Sequence, residues 1–232
     1  MKKTLPILII ILFFWIQSYS QVKPFRFGFK VAPNISWISP DSKGYNSEGT
    51  ILGFSWGFLA DITLTENYFV KTGFEVDYLC GKLSYPHTTV IPGDTVSSTG
   101  TLNRKYNLRY LTIPLTIKMR TNQFGKIAYY GEIGFGTSFN LRAKGTDSFN
   151  YNNGESNYET EEDINDEVTF MKSSIIVGGG IEYFIDESSS IILGISFNNG
   201  LNNILKGTNT VDTEIDQKGH LYYFQLTLGV MF

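Results

Sequence analysis

Few residues in this chain have side chains suited to catalysis or metal binding. There are two histidines, His87 and His220, and one cysteine, Cys80. A hydrolase built on either histidine needs a serine nucleophile and a carboxylate within hydrogen-bond reach. Two and four residues after His220 stand Tyr222 and Phe224, and no GxSxG occurs. His87 lies beside Pro86 in a stretch that reads as a loop. Neither points to an active site, so the expectation is a protein that is not an enzyme, with His220 an interfacial residue at a rim. A lone cysteine permits neither an internal disulfide nor a CxxC metal site, and Cys80 reads as a small apolar filler facing lipid. No cofactor is implied. The stretch from Gly145 to Val168 holds Asp147, Glu155, Glu159, Glu161, Glu162, Asp163, Asp166 and Glu167 with no Lys or Arg. Such oxygens suit Ca²⁺ or Mg²⁺, but the spacing fails the EF-hand pattern. The plain reading is a solvated mobile loop, and divalent binding stays open.

These residues must be positioned by a chain of 232 residues, 42% hydrophobic and 15% aromatic, with a net charge of -3. That is too apolar for disorder. Its 19 basic residues are scattered, which leaves no stripe to follow a phosphate backbone, so nucleic acid is not an expected partner. Lys2 and Lys3, the apolar run Leu5 to Ile16 and the small residues around Ser18-Tyr19-Ser20 predict a signal peptide over residues 1–20, cleaved before Gln21. Residues 21–232 would form one domain. No later stretch is long and apolar enough for a spanning helix, so a membrane protein made from it has to be a barrel.

From Phe25 onward apolar residues recur at every second position, the period of a strand. Eight segments can be drawn: Phe25 to Ile38, Ile51 to Leu64, Tyr68 to Tyr85, Lys105 to Arg120, Lys126 to Arg142, Thr169 to Ile185, Ser190 to Leu201 and His220 to Phe232. Pro33 and Pro114 fall inside segments, where each removes a ladder donor and could mark a bulge. Alternation does not say which face is inside, but volume does. Eight strands enclose little more than their own side chains. The apolar face is crowded with Phe, Tyr and Trp, and the other is rich in Gly, Ser, Asn and Thr, so the large residues belong outside, against lipid. The expected fold is all-β, an eight-stranded antiparallel up-and-down transmembrane β-barrel in the outer membrane.

Connection lengths agree. Thr65 to Asn67, Thr121 to Gly125 and Asp186 to Ser189 are short, whereas Ser39 to Thr50, Pro86 to Arg104, Ala143 to Val168 and Asn202 to Gly219 are long. Strict alternation of short and long fits periplasmic turns at one end and outer loops at the other. Trp37, Tyr68, Tyr129, Tyr183 and Tyr222 would form interfacial girdles. On the inner face Arg26, Lys30, Lys71, Lys118, Arg120 and Lys172 stand against Asp61, Glu75, Asp77, Glu132 and Glu182. Near balance in a narrow bore predicts a network of paired charges that plugs the lumen, with an ion or solute path as the alternative.

The chain resembles the PorT-like outer membrane β-barrel family of the Bacteroidota. The likeness rests on Gly28-Phe29-Lys30-Val31-Ala32-Pro33-Asn34-Ile35-Ser36, on Tyr110-Leu111-Thr112-Ile113-Pro114-Leu115-Thr116-Ile117-Lys118 and on Gly178-Gly179-Gly180-Ile181-Glu182-Tyr183-Phe184. It spans most of the mature chain, and Tyr-Leu-x-Ile-Pro-Leu is its most distinctive part. The resemblance implies no catalytic motif. Its founder is associated with type IX secretion, which implies a role as an accessory of a secretion system. The ending Leu228, Val230 and Phe232 looks like the signal by which barrel assembly machinery recognises its clients. The main expectation is a structural or surface-interaction barrel whose partners are membrane lipid and whatever its outer loops recognise. A soluble periplasmic ligand-binding barrel and a lipid-modifying enzyme are the remaining readings.

Overall fold

A computed structural model describes residues 24–90, 95–151 and 159–232, so the expected signal peptide lies outside the described residues. Ten strands follow in order: β1 (Phe25–Pro40), β2 (Asn46–Ser47), β3 (Ile51–Thr65), β4 (Tyr68–Val90), β5 (Ser97–Arg120), β6 (Ile127–Tyr151), β7 (Glu159–Asp163), β8 (Met171–Phe184), β9 (Ser190–Gly200) and β10 (Gly219–Met231). Eight of them close a ring, β1-β3-β4-β5-β6-β8-β9-β10, and every pairing is antiparallel. β2 and β7 are short additions paired to β4 and β6. A closed ring leaves no backbone edge to be satisfied, which is what a hydrocarbon environment demands.

Side chains sort by parity as the pattern predicts. Along β1, Phe25, Phe27, Phe29, Val31 and Ile35 are exposed on the outer wall, while Arg26, Lys30, Asn34 and Ser36 are buried in the bore. β5 does the same with Leu111, Ile113, Leu115, Ile117 and Met119 outside and Thr112, Thr116 and Lys118 inside. The outer apolar stretch from Leu111 to Met119 is close to the ~9–11 residues a tilted strand needs to cross. Girdle aromatics bound this band: Tyr68, Tyr129 and Tyr183 are exposed near the short turns. At the other margin Phe197 stacks on both Trp37 and Tyr222, whose own rings meet at a tilt.

Three expectations need correction. Pro33 and Pro114 produce no bulge: β1 pairs with β10 in one register on both sides of Pro33, and β4 with β5 in one register on both sides of Pro114. The missing donors interrupt the ladder without shifting it. The irregularities lie instead between Thr63 and Thr65, and at Leu141, which has no partner because Arg109 faces Arg142 and Tyr110 faces Asn140. Much of the expected loop sequence is strand. Pro86 to Val90 pairs with Ser97 to Thr101, Thr101 to Arg109 pairs with Arg142 to Asn150, and β7 pairs with β6. Lastly, Asp147 and Glu167 are not free acids of a solvated loop: they grip Arg104.

Candidate functional site

The bore has two storeys of opposite chemistry. In the lower one, nearer the short turns, buried charges are packed against each other. Glu182 on β8, fully buried, is the centre. Its Oε1 lies 2.7 Å from Arg26 Nη1 and accepts from Ser190 Oγ at 2.9 Å; its Oε2 accepts from Arg120 Nη1 at 3.1 Å. Lys118 Nζ sits 3.8 Å from the same Oε2 and donates to Asp61 Oδ2 at 2.7 Å. Arg26 Nη2 also donates to Ser190 Oγ at 2.6 Å. Rings close over the cations: the Arg120 guanidinium lies 4.6 Å from the centre of Phe69, and Lys118 Nζ 4.9 Å from that of Tyr130.

Two separate pairs stand beside this cluster. Lys71 Nζ donates to both oxygens of Glu132, at 3.0 and 2.7 Å, and Lys30 Nζ is 2.6 Å from Glu75 Oε1. Nine of the eleven expected inner-face charges are thus joined in ion pairs. The structure does not bring the other two into that network. Asp77 accepts from Thr112 Oγ1 at 2.5 Å, and Thr112 in turn meets Ser138 at 2.8 Å. Lys172 is fully buried and forms no ion pair among the described residues, its Nζ 5.6 and 5.2 Å from the ring centres of Tyr110 and Tyr223. A Lys head among tyrosine faces gains cation–π attraction in place of the close ion pair that was expected.

The upper storey is apolar, and sequence reasoning missed it. Above the level of Tyr110 the inward residues are Leu79, Leu83, Leu102, Tyr106, Leu108 and Phe149, all buried in one cluster with Ile164, Val168, Ile204 and Leu205 from the long connections. The β9–β10 connection folds over the mouth, with backbone bonds Thr169 N to Ile204 O (2.8 Å) and Lys206 N to Glu167 O (2.8 Å). One ion cluster lies within this cap: Arg104 Nε and Nη2 each donate to a different oxygen of Asp147 at 2.6 Å, and Nη1 donates to Glu167 Oε2 at 2.5 Å. Burial works against the Arg104 charge, yet the Asp147 contact holds its pKa above the ordinary value. The signal for this cap was present. In β5 the apolar parity changes phase at Tyr110, from Leu102, Tyr106 and Leu108 below it in sequence to Leu111, Ile113 and Leu115 beyond.

The two histidines lie apart, His87 at the β4–β5 hairpin and His220 at the start of β10. His87 Nδ1 lies 2.9 Å from Thr210 Oγ1, which also accepts from the Thr88 amide at 2.8 Å. Burial, with Arg104 nearby, pushes the His87 pKa down. His220 Nδ1 has no hydrogen-bond partner among the described residues, and its ring stacks near Tyr222 at 6.4 Å. Cys80 faces outward, half-buried, with its thiol near Asn107. Among the described residues no group of three or more His, Cys, Asp or Glu could hold a metal ion.

A closed antiparallel ring with an apolar outer wall and ionic contents defines an integral outer membrane β-barrel. The chain belongs to the outer membrane protein beta-barrel domain family, whose model matches residues 16–206. No curated protein matches the chain. Similar solved structures include Neisserial surface protein A, at 11% identity over 90% of this chain and 96% of that one, with a TM-score of 0.45. The outer membrane protein OprG from Pseudomonas aeruginosa is 10% identical over 90% and 95%, also with a TM-score of 0.45. Ail, the attachment invasion locus protein of Yersinia pestis, is 13% identical over 90% and 100%, with a TM-score of 0.41.

Proposed function

We propose that this outer membrane barrel has a plugged lumen and acts as a structural or surface-interaction protein, with recognition carried by the extension above the membrane. Residues 1–20 serve as the export signal, and residues 21–232 are the working domain. The observation that carries the reading is the double closure of the bore: ion pairs around Glu182 at one level and the apolar cluster around Tyr106 and Leu205 at the other. Opening a path would strip charges of their partners and expose apolar side chains to water, both unfavourable. What remains for contact with the outside is the rim formed by the β4–β5 hairpin, β7 and the β9–β10 connection. The proposed role is one of structure and contact and assigns the chain no reaction.

Membrane lipid is the permanent partner. Barrel assembly machinery is the transient one, reading a C-terminal strand on which Leu228, Val230 and Phe232 all face outward. The strand motif around Tyr110 to Lys118 supports a second reading, a PorT-like accessory of type IX secretion in the Bacteroidota, docking through the short turns or the rim. Planar-bilayer recording on the reconstituted chain tests the plug: silence is expected, and sustained porin-sized steps would overturn it. Crosslinking from cysteines placed in the rim and, separately, in the short turns tests the role. Neighbours on the outer side support surface interaction, whereas secretion components on either side transfer the assignment to the second reading.

A further inference from the structure

The outer wall of β4, β5 and β6 changes character one residue pair above the hydrocarbon band. Val76, Leu111 and Phe139 form the last apolar row. About 7 Å higher, two residues along β4 and β5 and three along β6, where the unpaired Leu141 intervenes, Tyr78, Arg109 and Arg142 stand side by side in register, and above them come Cys80, Asn107 and Lys144, then Lys82, Lys105 and Thr146. Five cations therefore share one sheet face, at the height where the polar groups of the outer leaflet begin. We propose that this face binds the phosphate groups of an outer-leaflet glycolipid.

Three observations support it. Among the described residues Lys82, Lys105, Arg109 and Arg142 form no ion pair, unlike most cations of the lumen; Lys144 is held by Glu161. Arg109 is fixed over the Tyr78 ring at 4.7 Å, which spares part of the entropy of ordering a long side chain on binding. The wall is also dented where a headgroup would sit. One depression of about 210 Å³ is lined by Tyr78, Asn107, Arg109, Arg142 and Lys144, and another of about 360 Å³ by Lys82, Asn103, Lys105, Thr146 and Ser148, with Glu48 at its edge. Acids limit the patch: Glu161 and Asp163 on β7 flank the far side of β6.

A soluble anion would find the same charges, but continuity with the lipid wall favours a lipid. On the same strands, about 20 Å nearer the short turns at ~3.3 Å per residue from Arg109 to Leu115, lies an apolar groove of about 510 Å³ lined by Val70, Leu115, Ile117, Ile133, Phe135 and Ile175. An acyl chain descending from a headgroup on Arg109 and Arg142 would run toward that groove. Arg is suited to phosphate because its planar fork donates two parallel hydrogen bonds.

The test uses the full folded chain in detergent, with lipid retention read by native mass spectrometry. Diphosphoryl lipid A is expected to bind at least tenfold more tightly than its fully dephosphorylated form, and added salt should narrow the gap. The R109A/R142A/K105A variant, checked for heat-modifiable migration, should bind diphosphoryl lipid A as weakly as the wild type binds the dephosphorylated lipid. K206A/K218A, in the β9–β10 connection, should leave binding unchanged. Inorganic phosphate at the same phosphate concentration should not compete. Equal binding of both lipids to the wild type would overturn the proposal even if the triple variant failed to fold. Full retention by the folded triple variant, an equal loss in K206A/K218A, or complete displacement by inorganic phosphate would each overturn it too.

Discussion

Along β5 the protein follows two opposite packing rules. From Leu111 to Arg120 apolar side chains face out and Thr112, Thr116 and Lys118 face in; from Leu102 to Tyr110 the apolar side chains face in, and Asn103, Lys105, Asn107 and Arg109 face out. Parity does not slip in β5, so the hydrophobicity itself changes phase. β6 reaches the same result differently, with the unpaired Leu141 shifting the backbone so that Ala143, Asp147 and Phe149 point inward. The cause is the solvent outside the wall. Hydrocarbon demands apolar side chains there and leaves the narrow bore to polar ones, while water reverses both demands. Strands that outgrow the membrane thus build a small water-type core on top of a lipid-type barrel.

If the two storeys are held by different forces, deleting a charge should cost most where each ion has several partners and no water. Glu182→Ala in the lower storey takes the carboxylate from both Arg26 and Arg120 at once and leaves Lys118 with Asp61 alone. Breaking a buried pair from one side costs about 3–5 kcal/mol, and urea unfolding in detergent should show a loss at or above that range. In the upper storey Arg104→Ala leaves Asp147 buried without its bidentate partner. The expected cost there is about 3 kcal/mol, the low end of the same range, because Glu167 reaches water. Its location should differ as well. Protease cleavage within the β4–β6 extension should rise while heat-modifiable migration of the barrel persists. A global collapse in Arg104→Ala, or a Glu182→Ala variant as stable as the wild type, would erase the distinction between storeys.

The lower storey was legible in the sequence because two residues of opposite sign at inward parity can hardly avoid each other in so narrow a bore. Arg26, Glu182, Lys118 and Asp61 were all marked by parity alone. The upper storey was not, although its residues alternate just as regularly. Leu102 and Arg104 read as loop because they follow turn-rich sequence, and Tyr106 and Leu108, although inside the fourth segment, have apolar positions out of phase with the lipid-facing row from Leu111 to Met119. Lys172 differs for another reason: its ring neighbours Tyr110 and Tyr223 come from strands β5 and β10, and nothing in local spacing tells that these rings will stand at its head while Asp77 stays beyond ion-pair distance. Prolines were over-read, since a missing donor interrupts a ladder without forcing a shift of register.

Packing in the lower storey offers a smaller test of the same contrast. Tyr130 projects from β6 into the bore, and room for it comes from glycines on the next two strands, Gly180 on β8 and Gly194 on β9, which lie in register beside it. A Cβ at Gly194 would stand 2.1 Å from the Tyr130 hydroxyl, and one at Gly180 2.9 Å from it. Overpacking of this kind costs about 1–3 kcal/mol, so Gly194→Ala should lower stability by that amount. The penalty should shrink in a Tyr130→Phe background, where the clashing oxygen is gone. An equal penalty in both backgrounds would show that the strand backbone, not the ring, is what Gly194 accommodates.

The smallest effect should come from pH, and only in the upper storey. His87 is held below its ordinary pKa of 6.5 by burial, with Arg104 adding repulsion. The unfolded extension therefore binds a proton more readily than the folded one, and stability rises with pH wherever that is so. The contribution of His87 is fully present above pH 6.5 and is lost as pH falls through the folded value. Protonation would also turn Nδ1 into a donor, so the Thr210 hydroxyl would have to accept from both His87 and the Thr88 amide. An NMR titration of the imidazole should show a midpoint below 6.5, accompanied by movement of the Thr88 and Thr210 signals, while signals near Glu182 stay still. A midpoint at or above 6.5 would mean that the ring is solvated, and that the cap is looser at the β4–β5 hairpin than its packing against Tyr85 and Phe149 implies.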